Sequence, residues 1–91
     1  MLEGCVPWPA ALADDYRRRG WWEGITIPEL LERSAARHPQ KSALVSGELR
    51  LSYADLVAGY RRLACGLLAA GIGPGDRVVM QLPNCPEFVF S

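Results

Sequence analysis

Gly71, Gly73 and Gly75 recur at alternate positions, a pattern that could let backbone N–H groups close around a phosphate. That chemistry requires a strand, then the loop, then a helix whose N-terminus faces the anion. Here a helical pattern precedes the glycines and a strand-like run follows them, so they read as a helix end and a turn. Cys5, Cys65 and Cys85 are odd in number, widely spaced and form no C-x-x-C pair, and His38 is the only histidine. That set offers neither a zinc site nor a Cys–His nucleophile pair. The three cysteines read as free thiols of a reducing compartment, behaving as small apolar residues. Ser34 and Ser52 read as a small stripe residue and a helix cap. The basic triplet Arg17-Arg18-Arg19 has Asp14 and Asp15 one turn away and reads as a solvated, charge-balanced helix face. No pair of carboxylates lies on an apolar, concave stretch. These residues nominate no catalytic, cofactor-binding or metal-binding position.

The elements around them are better marked. Residues 1–25 form an irregular arm that holds all three tryptophans, Trp8, Trp21 and Trp22, with a short helix expected from about Pro9 to Arg19. Three exposed tryptophans are unfavourable in a free arm, so the arm is expected to lie on a larger surface. Thr26-Ile27-Pro28-Glu29 is a capping box with proline in the first turn. Ile27, Leu30, Leu31, Ser34 and Ala35 follow at helical spacing, and His38-Pro39 ends the helix. Residues 42–52 read as a hairpin turning at Ser46-Gly47-Glu48. Ser52-Tyr53-Ala54-Asp55 is a second capping box, with Asp in place of Glu. It opens a helix whose stripe is Leu56, Val57, Tyr60, Leu63, Ala64, Leu67 and Leu68. Gly71 closes that helix in the left-handed conformation, with Ile72 as its apolar contact. After the turn Gly73-Pro74-Gly75-Asp76, the run Arg77–Leu82 reads as a strand covered on both faces. Asn84 is expected to cap a following helix, with Pro86 in its first turn and Glu87 at its third position. The order helix, hairpin, helix, parallel-type strand, truncated helix gives an α/β class with a parallel sheet.

Composition narrows the function classes. Of 91 residues 49% are apolar, and ten Lys and Arg balance ten Asp and Glu, for a formal net charge of zero. Such a chain has no electrostatic footprint for nucleic acid or anionic lipid, and no apolar run long enough for a membrane span. It is too apolar and too weakly charged for intrinsic disorder. Met1–Ala13 lacks the basic start and apolar core of a secretory signal, so a cytoplasmic location is expected. One small domain at most fits in this length, with marginal stability. The helix opening at Asn84 would reach two turns at most by Ser91, so 91 residues is expected to be a portion of a longer protein.

Several segments together carry a resemblance: Leu51–Leu56, Leu63–Leu67, Gly71–Val78 and Leu82–Phe88, in that order and spacing. They resemble the opening of the acyl-adenylate-forming enzymes, over about residues 26–91. Trp8-Pro9 and Tyr16–Trp22 are similar to the N-terminus of stand-alone aryl-acid AMP ligases acting on 2,3-dihydroxybenzoate or salicylate. The resemblance implies an arm over 1–25 and the incomplete start of the large N-terminal adenylation domain over 26–91. It implies a parent ligase of siderophore biosynthesis that joins a carboxylate to ATP, giving an acyl-adenylate and pyrophosphate. The acyl group would then pass to the phosphopantetheine thiol of an aryl carrier protein. ATP and Mg2+ are the implied cofactors. The family's phosphate loop, metal-binding Glu and catalytic Lys fall on no residue here, so the segment alone is expected to be inactive scaffold. Cys85 departs from the small residue often found at its position, in a loop whose role is structural. Two other readings stay open: an acyl-CoA ligase of the same superfamily, and a non-catalytic α/β interaction module.

Overall fold

A computed structural model describes residues 3–91. The arm carries one helix, α1 (Ala10–Arg18), followed by a loop with positive φ at Gly20 and Gly24. Helix α2 (Ile27–Arg37) starts at the Thr26 cap. The Thr26 hydroxyl accepts from the Glu29 N–H at 3.3 Å, and Glu29 accepts from the Thr26 N–H at 2.6 Å. Both arms of the capping box are therefore made. His38 follows α2 at φ −140°, outside the helical region, as the proline after it requires.

Strands β1 (Ser42–Ser46) and β2 (Leu49–Ser52) pair antiparallel, with Ser46 opposite Leu49 and Leu44 opposite Leu51. Gly47 has φ +59° and Glu48 a negative φ, the arrangement of a type II′ turn, which matches the strand twist. One residue, Ala43, is extra on β1 between the Ser42–Ser52 and Leu44–Leu51 pairs. This bulge bends β1 and breaks its in–out alternation.

Helix α3 (Tyr53–Ala69) leaves β2 directly through the Ser52 cap. Asp55 accepts from the Ser52 N–H at 2.8 Å, and Ser52 accepts from the Asp55 N–H at 3.1 Å. The helix ends in a Schellman motif. The Ile72 N–H reaches the Leu67 carbonyl and the Gly71 N–H the Leu68 carbonyl, each at 3.0 Å, with Gly71 at φ +89°. Helix α3 lies against both strands and against α2. A short α4 (Pro86–Phe90) returns to α3, where Phe90 covers Gly59. A Cβ on Gly59 would stand 2.6 Å from the Phe90 ring, so only glycine admits this contact without movement.

Three expectations are corrected. The run Arg77–Leu82 forms no strand, and Val79 is 94% exposed. A strand needs a neighbouring backbone, and the one sheet among the described residues is the β1–β2 hairpin. Among the described residues the architecture is therefore a small α/β unit with two antiparallel strands and no parallel pair. The cap of α4 is Cys85, without a side-chain bond, and Asn84 lies one residue before it. The stripes of α2 and α3 are also less buried than their spacing implies. Among the described residues Leu56 and Ala13 are the buried apolar side chains, while Ile27 and Leu68 are largely open. The chain exposes 7556 Å², against roughly 5,200 Å² for a compact monomer of its mass. Its radius of gyration, 16.2 Å, exceeds the roughly 12 Å of a compact chain of this length. These faces are apolar because their pattern is that of a core, and most of that core is uncovered.

Candidate functional site

The best-built polar cluster joins α2 to α3. Glu32 on α2 accepts from the Tyr60 hydroxyl and from the Arg61 guanidinium, at 2.7 Å from Nη2. The Tyr60 bond, then Arg61, hold the Glu32 carboxyl below the usual carboxylate range. The same bond to Glu32 pushes the Tyr60 phenol up, because losing its proton would bring two anions together. This trio fixes how α2 sits on α3. It lies at the surface, with Tyr60 at the edge of a mostly apolar cleft, and holds both of its charges in a pair. Its chemistry is structural. Its trace in the sequence is Tyr60 on an otherwise apolar stripe, since a half-buried phenol needs a partner for its hydroxyl.

Helix N-termini offer N–H groups to an anion; that of α1 carries no side-chain cap, whereas those of α2 and α3 are capped. Each of these two already holds its own carboxylate. Glu29 accepts from the Thr26 backbone N–H and hydroxyl, and Asp55 does the same at Ser52; these bonds hold both carboxyls below their ordinary values. The negative charge a helix N-terminus attracts is thus supplied from within, and a second anion would be repelled. Gly71, Gly73 and Gly75 follow the C-terminus of α3. The Gly73 N–H is taken by Asp76 Oδ2 at 2.8 Å, and Asp76 N–H bonds back to the Gly73 carbonyl. That closed turn is no cradle for an anion.

The other candidate residues stand apart. Cys5 and Cys65 are exposed and Cys85 is half-buried; all three are free thiols. His38 is the exposed residue that follows α2. Ser34 donates to the Leu30 carbonyl one turn back, and Ser52 is engaged as the α3 cap. Among the described residues, no three His, Cys, Asp or Glu side chains converge as metal ligands. None of their helices is long and apolar enough to cross a membrane.

The basic triplet is neutralised locally. Arg17 pairs with Asp14 at 3.0 Å, and Arg18 and Arg19 pair with Asp15 at 3.1 and 2.6 Å. The arm then folds on itself. Tyr16 stands with its ring centroid 5.4 Å from Trp21 and 5.3 Å from Trp22, and Trp8 lies 5.8 Å from Trp22. Arg19 stacks 5.0 Å from Trp21. Backbone bonds from Trp21 and Trp22 to the Tyr16 carbonyl fix the loop. An Arg33–Glu23 pair at 2.9 Å ties the arm to α2, and Arg77 reaches the Glu3 carbonyl at 2.8 Å. Sequence spacing gave no sign of this cluster, since Trp8 and Trp22 meet only because the loop after α1 doubles back. Trp21 is still 64% exposed.

A second apolar surface is the cleft of about 430 Å³ bounded by Ile27, Pro28 and Leu31 of α2, Leu63 and Leu67 of α3, and Val89 and Phe90. It contains no charged side chain and has the character of a packing face. Gly59 was the available signal for the α4 contact, because glycine in a helix interior is unfavourable without a packing reason.

Comparison with known proteins gives these surfaces a context. A family profile described as AMP-binding enzyme matches residues 31–91. The chain is 53% identical over 89 residues to triostin synthetase I of Streptomyces triostinicus, covering 98% of this chain and 17% of that protein. It is 44% identical over 88 residues to the 2,3-dihydroxybenzoate-AMP ligase of Bacillus subtilis, covering 97% and 16%. To the salicyl-AMP ligase / salicyl-S-ArCP synthetase of Mycobacterium tuberculosis it is 42% identical over 95 residues, covering 99% and 17%. The chain thus spans about one-sixth of the length of these relatives.

Proposed function

The chain belongs to the AMP-binding enzyme family, and from that premise we propose that it is a scaffold segment of an ATP-dependent aryl-acid adenylating ligase. The observation that carries this reading is the breadth of the likeness. The family match begins at residue 31, whereas the likeness to the dihydroxybenzoate-AMP ligase covers 97% of the chain. This breadth supports reading the Trp-bearing arm as a feature shared with the aryl-acid ligases. In this reading residues 1–25 are an arm on the outside of the enzyme, and residues 26–91 open its large N-terminal adenylation domain.

The reaction is the attack of an aromatic carboxylate on the α-phosphorus of ATP, which forms an aryl-adenylate and releases pyrophosphate. A carrier-protein phosphopantetheine thiol then attacks the acyl carbon and releases AMP. The relative named for both salicyl-AMP and salicyl-S-ArCP supports this pairing of steps. A place in siderophore biosynthesis and in the cytoplasm follows from the same resemblance. Mg2+-bound ATP is the implied cofactor. The residues of this segment do not fit it: two helix N-termini hold their own carboxylates, and the glycine turn is closed on itself. No step is routed through them, and catalytic, cofactor and metal roles are assigned to none of them. The exposed run Arg77–Leu82 is proposed to become a strand of a parallel sheet once the rest of the domain supplies its neighbours, which its near-continuous apolar character supports.

The test is to incubate the enzyme carrying this segment with ATP and a panel of acids, then follow the product by mass spectrometry. Aryl-adenylate from salicylate or 2,3-dihydroxybenzoate, and acyl transfer to a carrier-protein thiol, are expected. Formation of a fatty-acyl adenylate alone, or transfer to coenzyme A alone, would assign the protein to the acyl-CoA ligases.

A further inference from the structure

We draw no further inference here: the strongest candidate, the exposed Trp8–Trp21–Trp22 aromatic face of the N-terminal arm with Arg19 stacked on it, is an unpartnered surface and nothing in the structure shows what covers it.

Discussion

Asp55 and Glu29 each turn back onto the residue that caps their helix, and each is held below its ordinary pKa chiefly by a backbone N–H, from Ser52 and Thr26 respectively. A carboxylate depressed in the folded state adds stability above its unfolded pKa and loses that contribution as pH falls through the folded value. Helicity by circular dichroism is therefore expected to be flat above about pH 5 and to fall below about pH 4. Asp55→Asn keeps the shape of the side chain and removes its titration. It should lower helicity at neutral pH and flatten the acid-side fall; an unchanged acid profile would show that the capping box is not its origin. These caps were legible from residue type and spacing alone, because a capping box is a contact across three residues. Gly59 was not read, since its reason is Phe90, far along the chain. Gly59→Ala should push the Phe90 ring away, as the new Cβ would stand 2.6 Å from it. The ring sits at the end of a five-residue helix and moves easily, so global stability should change by less than about 1 kcal/mol. Amide exchange of Val89–Ser91 should quicken while that of Leu56 stays the same. Equal quickening at both would contradict the contact.

The helices and the hairpin were legible as elements because each carries its own punctuation: Thr26 and Ser52 at the starts, Pro39 and Gly71 at the ends, Gly47 in the turn. Their packing was less legible. The Ala43 bulge leaves no mark in composition, and the Glu32–Tyr60–Arg61 contact joins residues 28 and 29 positions apart. Arg77–Leu82 marks the limit most clearly. Its apolar run has the pattern of a buried strand, yet a strand is a property of two backbones, and this one has no neighbour among the described residues. Its N–H groups should therefore exchange with solvent nearly as fast as those of an unfolded chain. In the proposed whole ligase the same amides should be slowed by at least about a thousandfold, as for a central strand. Hydrogen exchange read by mass spectrometry separates the two states. Fast exchange at Val78–Met80 in the whole enzyme would overturn the proposed strand.

The molecule as a whole exposes far more surface than a compact chain of its mass, and the excess includes Val6, Ile27, Leu68, Val78 and Val79, residues of core type. A neutral composition concealed this, since composition counts apolar residues without saying what covers them. The likeness to enzymes about six times as long explains how such a chain can belong to a catalytic family. The family was legible through ordered motifs and not through chemistry, because caps and turns recur in a fixed order. The most direct test is the exchange of labelled pyrophosphate into ATP. The 91-residue chain alone should support none. The ligase proposed to contain it should support exchange that depends on salicylate or 2,3-dihydroxybenzoate and does not respond to fatty acids. Exchange by the 91-residue chain itself, or exchange by the whole enzyme with fatty acids and not with aromatic acids, would contradict the account.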